Sequence, residues 1–270
     1  MKFSVFGFNG FIGSNMVDFL RNQKIECDEI DPNDPQVFEK NLGHVIYCIG
    51  VTGDFRKKPF DTVEAHVCLL SKILKQCKFD SFLYLSSTRI YYNSITTDED
   101  NVQIITNPNK FEDIYNISKI MGESLCLASN KQNIRIARLS NVVGDNVKTD
   151  NFLTSLIHDA VINKKIILHT TVESEKDYVF VNDVVEILSK IALEGKNKIY
   201  NIASGENIKV KEIIEELIKN VNCEVCFSSD SNENIFPKIN IKKITEEFNY
   251  KPTPILNKIT KIIKKYQKKV

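Results

Sequence analysis

Apolar positions along this chain follow two rhythms, short unbroken runs and longer stretches with a period of three to four. The runs at residues 2–6, 44–49, 82–87 ("FLYLSS") and 133–139 ("NIRIARL") have the length and composition of buried strands, and residues 25–30 read as the second strand in chain order. Between them, Met16, Val17, Phe19 and Leu20 cover one side of a helix over 14–21. Val63, Val67, Leu70, Leu74 and Cys77 recur at gaps of four and three, which predicts a core-facing helix, and a further helix is expected over 113–129. The interval before residue 44 holds one short helix, over 35–42, and no further strand. The outer strand on that edge of the sheet is therefore expected to be vestigial or missing.

Beyond Gly144 the rhythm loosens. Helices are expected at 152–162 and 210–221, strands at 166–169 and 199–202, and the alternation of Cys223, Val225 and Phe227 reads as one more strand. Residues 255–270 carry Ile259, Ile262, Ile263 and Tyr266 at helical spacing, with six lysines from 258 onward. That is a docked helix with a solvated basic face rather than a membrane anchor. Strand and helix alternating in this way predict an α/β fold, a doubly wound parallel sheet with ligands at the carboxyl ends of its strands. The division expected is 1–145 for that domain and 146–270 for a smaller lobe, the chain crossing back near 177–200.

Composition narrows the class without changing the fold. At 270 residues and 42% hydrophobic content the chain buries a sizeable core, and a net charge of +1 gives no electrostatic reason to expect nucleic acid or a membrane surface as partner. No apolar run approaches the ~18 residues of a membrane span and no cleavable leader is visible, so a cytoplasmic protein is expected. The seven cysteines are odd in number and scattered through apolar stretches, as buried reduced thiols are. Cys223 and Cys226 form a CxxC with neither a second pair nor a nearby histidine, so no metal site is expected.

Two stretches carry chemistry. "GFNGFIG" (7–13) lies where the first strand turns into the first helix. Its spacing departs from G-x-G-x-x-G, but the context suits a phosphate cradle: Gly7 for a tight turn, Gly10 for close approach of a pyrophosphate, Gly13 for helix packing, with Phe11 and Ile12 of the same turn counted among the cofactor-binding residues. Asp31 ends the second strand, where an acid binds the ribose hydroxyls of an adenosine and disfavours a 2′-phosphate, hence NAD over NADP. With Pro32 and Asn33 behind it, the same residue also suits a turn cap. "YNISK" places Tyr115 and Lys119 one helical turn apart, and an ammonium beside a phenol lowers the phenol's pKa toward acid–base use. Upstream, "LSSTRIY" ends a strand; Ser87, with Ser86 and Thr88 as neighbours, is placed to hold a substrate oxygen beside Tyr115.

With these residues in place the chain resembles the extended short-chain dehydrogenases/reductases, in particular the nucleotide-sugar epimerase/dehydratase group. The matching stretches are "GFNGFIG", "SFLYLSSTRIY", "YNISKIMGE", "IRIARLSNVVGD", "DYVFVNDVVEIL" and "IYNIASGENIKVKEI", in the family's order over nearly the whole chain. The resemblance implies a Rossmann-type domain binding NAD and a C-terminal lobe for a nucleotide-activated sugar. It also implies a Ser87, Tyr115, Lys119 triad, with Lys119 also on the nicotinamide ribose. By the same resemblance Asn141 contacts the sugar nucleotide, Lys176 stands where relatives often carry an arginine for the diphosphate, and the protein is a homodimer in polysaccharide biosynthesis.

Three departures shape the functional reading. His66 stands where the family commonly has asparagine. Thr88 and Arg89 replace the acidic pair of the 4,6-dehydratases, and neither serves readily as acid and base, so elimination of water is disfavoured. No arginine lies between Ser228 and Asn240 to clamp a diphosphate. Arg56, Lys57 and Lys58 in "GDFRKKPF" offer either a replacement anion site or a solvated charge run. The first functional expectation is an epimerase working by transient oxidation of a sugar carbinol. The second is an NAD(P)H-dependent 4-ketosugar-nucleotide reductase. The third, of another class, is a non-catalytic NAD-sensing protein.

Overall fold

The computed structural model describes residues 1–53, 55–144 and 152–268. In chain order, β1 (Lys2–Phe6), α1 (Phe11–Asn22), β2 (Glu26–Ile30) and β3 (His44–Tyr47) come first. A helical stretch follows, made of α2 (Pro59–Val63), a π-helical turn (Glu64–Cys68) and α3 (Leu69–Gln76). After it come β4 (Ser81–Ser87), α4 (Asp113–Ala128), β5 (Ile134–Leu139) and β6 (Asn141–Val143). From residue 152 onward the order is α5 (Phe152–His158), β7 (Lys165–Thr170), β8 (Glu175–Phe180), α6 (Val181–Glu194), β9 (Ile199–Ile202), β10 (Asn207–Lys209), α7 (Val210–Asn220), β11 (Glu224–Asn232), α8 (Lys242–Phe248) and α9 (Leu256–Gln267).

Among the described residues the main sheet has six parallel strands in the order β2-β1-β3-β4-β5-β9. Helices cover both faces, so β1, β3, β4, β5 and β9 are buried over most of their length, whereas β2 carries Glu26, Asp28 and Glu29. Met16, Val17 and Leu20 of α1 join Val184, Leu188 and Ile191 of α6 on one face. Leu70, Ile73 and Leu74 of α3 join Cys126 of α4 on the other. β2 and β9 are the edge strands, and among the described residues no strand lies beyond β2. The strand order reverses between β1 and β3, and this switch point opens the crevice in which such sheets bind ligands.

The smaller lobe pairs β7 with β11, sets β6 and β10 on either side of β8, and packs α5, α7 and α9 together. The four apolar positions singled out on the last helix, Ile259, Ile262, Ile263 and Tyr266, are buried in this core. Between the lobe's elements, α6 and β9 return to the main sheet, so residues 199–202 are hydrogen-bonded to β5. The boundary expected at 145/146 lies outside the described residues. No helix among the described residues is long and apolar enough to cross a membrane.

Three sequence expectations are corrected. The helix expected over 35–42 is a four-residue 3-10 turn, Pro35–Phe38. Asp34 caps it, and Leu42 is drawn away to donate its N–H to the Lys78 carbonyl. α1 begins at Phe11 rather than Ser14, so Gly13 lies in its first turn and Gly10 is the cap residue. The helical stripe from Val63 is broken by the π-turn, whose extra residue shifts the buried face: Ala65 and His66 are buried, while Val63 and Val67 are only partly so. The hydroxyls of Tyr47 and Tyr84 donate to the Ala65 and His66 carbonyls at 2.6 and 3.4 Å and anchor that turn to the sheet.

Candidate active site

The glycine turn is built by steric necessity. Gly7 has φ +74°, and a Cβ there would meet the Cys48–Ile49 backbone at 2.9 Å. A Cβ on Gly13 would collide with the Gly7 carbonyl. The Gly10 N–H donates to the Gly7 carbonyl at 3.0 Å, and Gly10 begins α1 with no side chain capping the helix. The first amides of a 12-residue helix, those of Phe11, Ile12 and Gly13, therefore point unclaimed by any capping side chain into the crevice at the switch point. No acidic residue stands in that first turn to compete with an anion. This geometry fits a dinucleotide pyrophosphate. At the end of β2, Asp31 is exposed, and its Oδ1 accepts from the Asn33 backbone at 2.9 Å and side chain at 3.1 Å, so the turn-cap role is realised.

Across the crevice, α4 brings Tyr115 and Lys119 onto one buried face, 6% and 4% exposed. α4 comes this close to β4 because residue 122 is glycine, where a Cβ would strike the Tyr84 hydroxyl. The Lys119 ammonium lies 5.9 Å from the Tyr115 ring and 5.2 Å from that of Tyr84, and donates to the Leu85 carbonyl at 2.8 Å. Burial lowers its pKa to about 7, with Glu123 opposing that shift. Tyr115 departs from expectation. Its pKa is raised, by burial above all, and a hydrogen bond with Ser87 and the charge of Arg89 only partly offset this. The neighbouring lysine does not reverse the cost of desolvating a phenolate, because its own ammonium is bound to a carbonyl and destabilised by burial.

Ser87 ends β4, and its Oγ accepts the Arg89 N–H at 3.2 Å. Ser86, one residue back, faces the other side of the strand and donates to Glu123. Glu123 also takes both arms of Arg138 at 3.0 and 2.7 Å. Arg138 donates in turn to the Tyr91 hydroxyl at 2.6 Å. This buried network supports the strand ends and was not read from the sequence; the alternation Ser86 in, Ser87 out was its only signal.

His66 is fully buried beneath the site. Its Nε2 accepts the Val51 N–H at 3.3 Å, which leaves Nδ1 to donate to Ser118 Oγ at 2.9 Å, while the Ser118 hydroxyl donates to the Tyr115 carbonyl. The ring meets Tyr115 edge-on at 5.4 Å. Burial, aided by the Lys119 charge, lowers the His66 pKa to about 2, so the imidazole is neutral throughout the physiological range. A β-carbon on Gly50 would come within 3.0 Å of Nε2.

Above Tyr115, Phe55 covers the phenol with ring centroids 5.1 Å apart. Thr88 is buried beside Ser87. Asn141 is exposed, and its amide donates to the Asp177 carbonyl at 2.8 Å, which ties β6 to β8. Lys176 lies between the Phe152 and Phe236 rings at 5.4 and 5.5 Å. Burial, then the charges of Arg89 and Arg56, depress its pKa. Arg56, Arg89 and Lys176 thus converge from three elements. Arg89, Glu112 and Phe55 belong to this group although no local pattern marks their proximity, since residues 55, 89 and 112 meet only through the fold. Two shallow surface cavities, of about 480 Å³ beside Lys164, Cys223 and Gln267 and about 450 Å³ beside Gly205 and Lys238, touch none of these residues.

Comparison with known proteins agrees with the fold. The sequence model of the NAD dependent epimerase/dehydratase family matches residues 3–203. The dTDP-4-dehydro-6-deoxyglucose reductase of Escherichia coli is 28% identical over 77% of this chain and 68% of its own length. The GDP-6-deoxy-D-mannose reductase of Pseudomonas aeruginosa is 24% identical over 79% and 78% respectively. The solved UDP-glucuronic acid 4-epimerase of Bacillus cereus, in complex with UDP-glucuronic acid and NAD, superposes with a TM-score of 0.79 at 18% identity, covering 100% of this chain and 99% of that one.

Proposed function

The chain belongs to the NAD-dependent epimerase/dehydratase family, and we propose that it is an epimerase that transiently oxidises a carbinol of a nucleotide-activated sugar. The observation carrying this reading is Tyr115, buried on α4 with Ser87 and Lys119 on the crevice side of the strand end. Backbone amides at Gly7, Gly10, Phe11, Ile12 and Gly13 would hold the cofactor pyrophosphate, Asp31 an adenosine ribose and Lys119 the nicotinamide ribose. When bound, NAD supplies the acceptor and then the donor of the hydride. Ser87 and Thr88 hold the sugar oxygen at the phenol, and Tyr115 takes the carbinol proton as the carbonyl forms and returns it afterwards. His66 keeps the Tyr115 backbone and ring in place through Ser118. Asn141, Lys176 and Arg56 face the rest of the nucleotide sugar.

Elimination is not part of this reading. Thr88 and Arg89 are poor proton-transfer groups, and the nearby Glu112 is held ionised, its pKa lowered by Arg56 first and Arg89 after it. A purified protein of this kind retains NAD, and incubation with nucleotide sugars gives the inverted epimer with no net change in reduced cofactor. Protein that neither carries NAD nor responds to added NAD rules the epimerase out.

A second reading, the 4-ketosugar-nucleotide reductase, is favoured by the two reductases that this chain matches over most of their lengths. The raised pKa of Tyr115 suits it, since a protonated phenol is the donor that a ketone needs. Steady oxidation of NAD(P)H with a 4-keto sugar nucleotide selects this reading. We further read the protein as a cytoplasmic homodimer. Met121 and Leu127, about half exposed on α4, support an interface of paired helices, and sedimentation of the purified protein as a monomer would exclude it.

A further inference from the structure

Among the described residues, the cations above Tyr115 outnumber the carboxylates paired with them. Arg56 Nε donates to Glu112 Oε1 at 2.8 Å, and an Arg89 terminal nitrogen lies 3.4 Å from Glu112 Oε2, so two guanidinium groups share one carboxylate. Both stack on the same Phe55 ring, at 4.5 and 5.5 Å, and that ring rests on Tyr115. Lys176 is linked to the turn after Arg89 through Phe236, whose ring contacts Tyr92 at 4.9 Å. Among the described residues, Glu112 is the carboxylate in ion-pair range of the two arginines. The Arg89 Nε is buried with no partner. Among the described residues, two arginines sharing one carboxylate, a third cation near enough for their charges to act on it, and a buried donor unused form a site for a further oxyanion.

We infer that Arg56 and Arg89 receive an oxyanion of the substrate, and that Glu112 is its built-in stand-in, displaced when the substrate binds. This inference rests on the nucleotide-sugar reading. Two substrate groups share the required chemistry, the diphosphate and a carboxylate on the sugar itself. The carboxylate is the group that the pair already holds. Arg89 is also two residues on from Ser87, to whose Oγ its N–H donates, at the sugar end of the site. Sequence spacing conceals this arrangement because residues 56, 89 and 112 come from three separate segments. It also turns the replacement of the dehydratases' acidic pair into a gain: the position that loses a proton donor acquires a carboxylate receptor.

The experiment is calorimetric binding to the NAD-loaded protein, wild type against Arg89→Met, Arg89→Lys and Glu112→Gln, each first checked for unchanged melting. The probes are the glucose and glucuronate derivatives of whichever nucleotide, among UDP, dTDP and GDP, the wild type binds tightest. Arg89→Met is expected to weaken binding by about 10- to 100-fold, with Arg89→Lys in between, and Glu112→Gln to tighten it by about threefold or more. Weakening of both probes alike assigns the diphosphate; weakening of the glucuronate alone assigns the sugar carboxylate. Binding unchanged within about twofold for both probes in Arg89→Met, or weakened in Glu112→Gln, overturns the inference while leaving the nucleotide-sugar reading intact. A wild type that binds none of the probes defeats both.

Discussion

At Tyr115 the balance between a neighbouring charge and burial decides which proton state the enzyme starts from. A full ammonium ~6 Å away contributes ~3 kcal/mol at an effective dielectric of ~20. Burial outweighs that contribution and raises the Tyr115 pKa, and Lys119, at about 7, is only partly charged at neutral pH. The phenol is therefore protonated in the free protein. Oxidation of a carbinol needs the phenolate, so its rate should climb without levelling between about pH 6 and 9, whereas reduction of a ketone should stay nearly flat; a flat oxidation profile contradicts this assignment. His66 gives a prediction with a sign of its own. Its pKa falls from 6.5 to about 2 on folding, so unfolding takes up a proton below 6.5. The stability it confers is complete above 6.5 and is lost as pH falls toward 2, at ~1.4 kcal/mol per pH unit. Denaturant titrations of His66→Gln should therefore show a shallower acid limb than the wild type, and identical limbs would refute a buried neutral imidazole.

At the scale of elements, the turn after β1 and the π-turn before α3 do most of the positioning. Gly13→Ala places a methyl group on the Gly7 carbonyl, so it should cost ~3 kcal/mol in denaturant unfolding and abolish cofactor retention. A variant of full stability that still retains NAD would show that the turn is not the cradle. Most of the main sheet was legible because its inner strands are largely apolar runs separated by turn residues, and α4 because Tyr115 and Lys119 fall on a helical period. Three features were not legible. The π-turn adds one residue to a regular stripe, and no local signal marks it; its anchors, Tyr47 and Tyr84, lie on distant strands. The short helix over 35–42 was overridden by the pairing of residue 42 with residue 78. Glu112 joined Arg56 and Arg89 only through tertiary contact.

For the whole molecule, the lobe's core runs through its C-terminal helix, and the chain's return to the main sheet through α6 and β9 couples the lobe to the crevice. Ile263 is fully buried, and Ile263→Ala should cost about 2–5 kcal/mol, measured by chemical unfolding; a loss below ~1 kcal/mol would mean that α9 is peripheral. The Glu123–Arg138 pair joins α4 to β5 beneath the catalytic strand end at 2.7 Å. Because removing one partner strands a buried charge, Glu123→Gln should cost ~3–5 kcal/mol, and an unchanged unfolding midpoint would show the pair to be dispensable. The central claim, that the buried phenol moves the proton while a nicotinamide moves the hydride, is tested most directly by comparing Tyr115→Phe with the wild type on its nucleotide sugar. We predict that turnover falls by about 10²- to 10⁴-fold while NAD retention and melting stay unchanged. Undiminished turnover in that variant would contradict the account.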